Sequence, residues 1–339
     1  MPEAENLTVG NLGEGGLLAR ILPRLRGAAP LLGPGDDAAM IAAPGGAFVI
    51  TVDTLVENQD FRLHWPSGFE SSGFDVGWKS AAQNLSDINA MGAYATAAVI
   101  SLTLPHSTPV RWVEELAEGF SAAVRELGAL DCSIAGGDLG RGSEVSITAA
   151  VTGALPTGKP ILRSGAKPSD IVAVNGVLGV AAAGLALLDS TLPAADWTEA
   201  EAGIVQGQRR PKPPLHAGPE AARAGATAMM DLSDGLLKDG QRMATASGAN
   251  VCIERGALLN DIERLEPISN ALGCDPLPWV LAGGEDHGLL ATFPAEADLP
   301  PGFRPVGVVQ ALEPGESNPK VYFDGLAQGA SIGYDHFEG

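Results

Sequence analysis

The sequence predicts an α/β (α+β) protein of two domains, and three observations predict it: the length, an alternation of strand-like and helix-like runs, and a break in composition near residue 155. The 339 residues exceed one ordinary hydrophobic core and suit two of common size. The expected domains are residues 1–155 and 156–339.

In chain order, residues 17–25 carry an amphipathic helix candidate. Strand-like runs follow at 47–53, 97–104 and 145–153, each apolar or alternating and bounded by Gly, Pro or Asp. Between them, 74–91 and 110–127 carry apolar residues at helical spacing. In the first, Trp78, Ala81, Leu85, Ile88 and Met91 share a face. Its opposite stripe, Ser80, Gln83, Asn84 and Asp87, is polar but mostly uncharged, which is unusual for a face turned to water. A Pro-flanked stretch at 156–168 breaks the pattern. It restarts with a strand at 171–175, a helix at 179–188, a strand at 226–231 and a helix at 235–246. Strands at 280–282, 289–293 and 303–309 complete the second domain.

Apolar residues make up 45% and charged residues 18%, a globular composition that excludes global disorder. A net charge of −20 and an aromatic content of 5% argue against nucleic-acid and acidic-membrane partners. The densest basic stretch, Arg209-Arg210-Pro211-Lys212, reads as a solvated loop. An acidic excess still admits an anionic substrate, provided divalent cations sit between carboxylate and phosphate. Cys132, Cys252 and Cys274 are odd in number and widely spaced, which fits neither a disulfide framework nor a zinc site. The first residues are acidic with no apolar segment, and the most apolar stretch, 177–188, is too short to span a bilayer. A cytoplasmic protein is expected.

Carboxylates recur beside glycines or at strand ends: Gly35-Asp36-Asp37, Thr51-Val52-Asp53-Thr54, Asn84-Leu85-Ser86-Asp87, Gly136-Gly137-Asp138, Asp231-Leu232-Ser233-Asp234-Gly235 and Gly283-Gly284-Glu285-Asp286. Hard oxygen donors of this kind are what Mg²⁺ requires, and glycine lets backbone approach a ligand closely. Each corner alone also has a plainer reading. Asp37 and Asp53 suit turns, Ser233 or Asp234 suits a helix N-cap, Asp87 a polar helix face, and Glu285-Asp286 a hairpin tip. Six such corners in one chain exceed what turn chemistry usually supplies.

The common nucleotide motifs are missing. Gly153-Ala154-Leu155-Pro156-Thr157-Gly158-Lys159-Pro160 approaches a phosphate-binding loop, but Pro160 stands where a hydroxyl should hold Mg²⁺, so the run reads as a turn at the domain boundary. The glycines at 10, 13 and 16 form only a loose motif, with no strand before them. The five histidines show no paired metal-ligand spacing and read as surface or core residues.

These motifs, in this order, resemble the thiamine-monophosphate kinase family. So do Arg163-Ser164-Gly165-Ala166-Lys167-Pro168 and the terminal Gly333-Tyr334-Asp335-His336-Phe337, and the resemblance runs from about residue 13 to 337. It implies a member of the aminoimidazole-ribotide-synthetase-like superfamily. Such a member has an N-terminal domain that dimerises through a mixed sheet and a C-terminal domain that completes the cleft. The implied reaction carries a phosphoryl group from ATP to thiamine monophosphate with several Mg²⁺ ions. By the resemblance, Asp37, Thr51, Asp53, Asp87, Asp138, Asp231 and Asp234 are metal ligands. Gly137, Asp138, Arg163 and Ser233 touch ATP, while Asp53, Asp138, Arg163 and Asp234 carry the transfer. Glu285 and Tyr334 touch the thiamine substrate. The family usually places a His seven residues after the acid of the Thr-x-Asp-Thr run. Here that residue is Asp60, whose carboxylate is able to pair with the cationic thiazolium. Two other readings stay open: a sibling ATP-dependent synthetase, although no Cys precedes Cys132, and a non-enzymatic nucleotide- or metal-binding module.

Overall fold

The computed structural model describes residues 31–32, 36–43, 46–313, 315 and 317–328. The helix expected at 17–25, the glycines at 10, 13 and 16, and the 333–337 tail with Tyr334 lie outside them. Two sheets organise the described residues.

The first half runs β1 (Ala39–Ala43), β2 (Gly46–Val56), α1 (Gly73–Ala90), β3 (Tyr94–Leu104), α2 (Val110–Glu126), β4 (Ser133–Arg141) and β5 (Ser146–Ala154). Its sheet has the order β1-β2-β5-β3-β4, with only β3 and β4 parallel. Side chains alternate across a strand, so Val49 and Leu55 of β2 and Ile147, Ala149 and Val151 of β5 bury on one face. The helices cover that face. The opposite face is open and leaves Val52 and Val99 exposed.

Ser72 and Asp75 start α1 with a reciprocal capping box, each side chain accepting the other's backbone N–H. The helix then crosses α2 at close range. A Cβ on Gly77 would lie 2.0 Å from the Leu116 carbonyl oxygen, and one on Gly119 2.0 Å from that of Phe74. Only glycine fits such a crossing.

The second half runs β6 (Ile171–Asn175), α3 (Val180–Leu188), α4 (Glu199–Arg209), α5 (Ala217–Ala224), β7 (Ala228–Asp231), α6 (Leu236–Ser247) and β8 (Asn250–Ile253). It continues with α7 (Leu259–Arg264), α8 (Glu266–Leu272), α9 (Leu277–Ala282), β9 (Leu289–Phe293), β10 (Phe303–Gln310), β11 (Val321–Phe323) and β12 (Leu326–Ala327). The sheet order is β12-β11-β8-β10-β6-β9-β7. Val172, Val174, Leu187, Met230 and Leu290 form the centre of its core. Between the sheets, residues 155–170 form no helix or strand, and the Pro160-containing run is the end of β5 plus a turn closed by Gly158 N–H on the Leu155 carbonyl.

Two expectations need correction. Residues 280–282 are the end of α9, not a strand. Pro276 caps this helix and Pro278 lies in its first turn, where a fixed φ favours helix. A three-residue apolar run carries no period that separates the two forms. Nor are Arg209 and Arg210 of the basic stretch solvated, although Lys212 is exposed. Arg209 and Arg210 both pair with buried Asp75, at 2.6 and 2.5 Å, and lie over the rings of Phe69 and Phe74. Burial would raise the Asp75 carboxyl, but the two guanidiniums and Ser72 hold it below the usual range. With the Trp78 indole N–H donating to the Pro211 carbonyl, these contacts join the halves. On the cleft rim, exposed Arg62 and Asp189 join them again at 2.6 Å.

Among the described residues no helix is long and apolar enough to cross a membrane. None of the three cysteines, all of them described, forms a disulfide; Cys132 is buried and Cys274 exposed.

Candidate active site

A cleft of about 770 Å³ opens between the halves, within the usual range of small-molecule sites. From the first half, β2 directs Thr51 and Asp53 toward α1, where the polar stripe meets them. Thr51 Oγ1 donates to Asp87 Oδ2 at 2.6 Å, and Asn84 Oδ1 accepts the Asp53 N–H at 3.1 Å. The uncharged stripe on α1 thus fastens the helix to the strand that carries the acids. Asp37, just before β1, receives Arg163 Nη2 at 2.7 Å, while Asp36 accepts the Arg163 backbone N–H.

From the second half, β7 ends on Asp231, which receives Ser86 Oγ at 3.2 Å and lies 3.4 Å from His287 Nδ1. The strand pair β7–β9 continues into two loops tied by backbone hydrogen bonds, Glu285 N–H to Ser233 O and His287 N–H to Leu232 O. This alignment sets Ser233 and Asp234 beside Glu285 and His287. Both Glu285 and His287 have positive φ, 67° and 53°, the kind of backbone strain that collects at functional sites.

The N-cap of α6 is Gly235, not Ser233 or Asp234. A Cβ there would meet the Ala282 carbonyl carbon at 2.7 Å. The capping oxygen comes instead from inside the helix, since Asp239 Oδ2 accepts both the Asp234 and Gly235 N–H groups. Ser233 and Asp234 are left to line the cleft. Nor is Glu285-Asp286 a hairpin tip: Asp286 is buried and accepts the Gly179 and Ala181 N–H groups at the start of α3.

Asp37, Asp87 and Asp231 bring carboxylate oxygens within 4.8 Å of one another. Burial pushes Asp37 up to about 7, with Asp231 adding to the rise and Arg163 opposing it. Burial also raises Asp53, and it lifts Asp87 well above the carboxylate range, reinforced by Asp53, Asp231 and Asp37. Asp231 moves the other way, because its bond to His287 and the charges of His287 and Arg163 outweigh its burial. Such crowding of buried acids is unfavourable without a cation, and hard carboxylates with a hydroxyl beside them suit Mg²⁺.

Asp37, Thr51, Asp53, Asp60, Asp87, Arg163, Asp231, Ser233, Asp234 and Glu285 therefore share one cleft. Gly137 and Asp138 do not line it. They sit on edge strand β4, which is exposed throughout, and Asp138 pairs with Ser101 on the open face. Asp60 lines the cleft, yet its Oδ2 accepts the Val56 N–H and closes its own turn.

Among the cleft residues that escaped sequence reasoning are Lys238, Arg242 and His287. Arg242 pairs with Asp234 at 2.5 Å and Lys238 approaches it at 3.6 Å. Their spacing of four and eight residues after Asp234 was the available signal, since one helix face repeats at that interval. His287 directly follows the Gly-Gly-Glu-Asp corner.

An acid-lined, cation-flanked cleft between two such halves defines a class. The family of AIR synthase related proteins, by its N-terminal domain, matches residues 35–155. A thiamine-monophosphate kinase of Mycobacterium tuberculosis (strain CDC 1551 / Oshkosh) is 41% identical over 309 residues, which covers 90% of this chain and 87% of that one. AaThiL complexed with AMPPCP and TMP is similar in structure, with a TM-score of 0.84 and 28% identity, covering 98% of this chain and all (100%) of that one. The thiamine monophosphate kinase from Aquifex aeolicus gives 0.80 and 28%, covering 95% and 99%. The chain belongs to the thiamine-monophosphate kinase family.

Proposed function

We infer that this chain is a kinase that transfers a phosphoryl group from ATP to thiamine monophosphate, giving thiamine diphosphate and ADP, with magnesium as its metal. The carboxylates of Asp37, Asp87 and Asp231, gathered within 4.8 Å beside Arg163, carry the reading. Those three, with Thr51, Asp53 and Asp234, would hold the ions. When bound, magnesium supplies charge neutralisation between carboxylate and phosphate oxygens. Direct transfer asks for positioning and charge balance rather than covalent help. A phosphate acceptor is already anionic near neutral pH, so no general base is required. Arg163 offers a guanidinium to charge developing on the transferred group. Ser233 offers its hydroxyl to the nucleotide, and Glu285 and Asp60 meet the thiamine part. The domain division at 155/156 separates the two sheets, and the nucleotide co-substrate suits a cytoplasmic setting.

A homodimer through the open sheet face belongs to the same proposal. Unpaired edges and apolar open faces invite pairing; Val52 and Val99 are exposed on the open face, and β4 is an exposed edge strand. Asp138 and Asp53 are three strand spacings apart, roughly 14 Å at ~4.8 Å each, and point to opposite faces. If Gly137 and Asp138 serve a cleft, it is that of a second copy. Mixing Asp138→Asn with Asp37→Asn should then restore part of the turnover that each lacks alone. No restoration in a mixed dimer would remove Asp138 from the partner's site.

The deciding assay is ADP release with and without thiamine monophosphate, in Mg²⁺ and in chelator. Turnover is expected only with both acceptor and metal. ATP consumption that ignores thiamine monophosphate would overturn the assignment.

A further inference from the structure

Lys79 belongs to none of the motifs above, yet it is 2% exposed in the middle of α1. A buried ammonium is costly unless it is paired and hydrogen-bonded. Its Nζ donates to Glu285 Oε1 at 2.6 Å and to the Asp60 backbone carbonyl at 2.8 Å. Glu285 Oε2 in turn accepts Gln208 Nε2 of α4 at 3.1 Å. One ammonium thus joins the turn that ends β2 to the strained loop before β9, across the boundary between the halves.

We propose that Lys79, seconded by Gln208, is a positioning residue that fixes the Glu285 carboxylate and the Asp60 turn in register for the thiamine part of the acceptor. Both elements need such a fixture. Glu285 sits at φ 67° on a loop beginning Gly283-Gly284, and the Asp60 turn contains Asn58 at φ 65°. Neither lies within a regular element that would orient a side chain. With each oxygen already holding a donor, Glu285 presents its remaining lone pairs in one direction, and Lys79 balances its charge. The carboxylate then selects a ligand by accepting an N–H hydrogen bond, a donor that the aminopyrimidine of thiamine carries, more than by net attraction. The proposal rests on Glu285 meeting that substrate.

The test is a set of Michaelis constants for both substrates in the wild type, Lys79→Met, Gln208→Leu, Glu285→Gln and the Lys79→Met/Glu285→Gln double variant. The Glu285 side chain is 32% exposed, so removing Lys79 strands no charge in the core. Lys79→Met should raise the constant for thiamine monophosphate about tenfold and leave that for ATP within about twofold, the mark of lost acceptor binding. Gln208→Leu should raise it about threefold. The double variant should be no worse than its poorer parent, because both changes remove one arrangement. Unchanged constants for thiamine monophosphate in Lys79→Met and Gln208→Leu, with only a lower melting temperature, would overturn the proposal. So would effects that multiply in the double variant. If Lys79→Met does not fold, the same comparison of Gln208→Leu, Glu285→Gln and their double decides. A wild type that does not turn over thiamine monophosphate would instead overturn the functional reading.

Discussion

Asp87 accepts a hydrogen bond from Thr51 and is crowded by Asp53, Asp231 and Asp37, so its ionised form is disfavoured by burial first and by those three charges next. The group that makes the cleft attractive to a cation therefore weakens the metal-free protein. Asp87→Asn keeps the shape and an oxygen for Thr51 but removes the repulsion. In chelator it should melt higher than the wild type, by about 2–4 °C for each kcal/mol relieved in a chain of this size or somewhat less. Turnover in Mg²⁺ should fall on the order of 10³-fold, comparable to losing other preorganised charge-stabilising groups. A lower melting temperature in chelator would mean that the carboxylate is a structural partner and not a held-open ligand. Clustered acids of this kind were legible in the sequence because carboxylates repeat at strand ends and beside glycines. Lys79 and Gln208 were not, because each occupies an ordinary position in a helix and only the folded chain brings them to Glu285.

At the level of elements, α1 does two jobs with two faces. One packs on α2 through glycine, and the other fastens Asp87 and Asn84 to β2. Gly77→Ala would place a Cβ 2.0 Å from the Leu116 carbonyl oxygen, and backbone cannot yield as a flexible side chain can. A loss of about 1–3 kcal/mol is expected from such overpacking, read in denaturant melts, together with weaker Mg²⁺ binding as Asp87 shifts. An unchanged midpoint would show that the crossing has slack. The two faces also explain which elements could be read in advance. Helix α1 and strands β2, β3 and β5 bury a face and so carry a period. Strand β4 is exposed along its whole length and rich in glycine, and therefore carries none. Strand β8 has only four residues, and α9 offered an apolar run too short to separate helix from strand. Arg209 and Arg210 looked like a polar loop because their partner, Asp75, lies 134 and 135 positions away.

Over the whole molecule, the raised carboxyls give the metal-free protein an inverted response to pH. Asp37, Asp53 and Asp87 rise above the ordinary carboxylate value, and Asp286 and Asp239 rise to about 7 and about 8, burial being the largest cause in each. Between pH 4 and 7 the folded state thus binds more protons than the unfolded chain, and stability falls as pH rises. Asp75 and Asp231 are lowered, and their contribution is lost only below about pH 4, outside that window. In chelator the protein should melt higher at pH 5.5 than at pH 7.5, and Mg²⁺ should add more at pH 7.5, where protons no longer compete for the oxygens. Equal metal-induced shifts at both values would mean that the cluster does not bind the ion.

Two of the ties between the halves are unequal in another way. Asp75 grips two guanidiniums with its side chain only 3% exposed, whereas Arg62 and Asp189 meet at the rim with side chains 41% and 40% exposed. A rim pair in water is worth about 0–1 kcal/mol and fades with salt, while a buried pair keeps most of its strength. The buried tie therefore outlasts the exposed one when salt rises. If the cleft opens to admit a nucleotide and a vitamin phosphate, the rim pair is the tie expected to yield first. Product release should accordingly quicken with added salt and in Arg62→Ala, while the melting temperature barely moves.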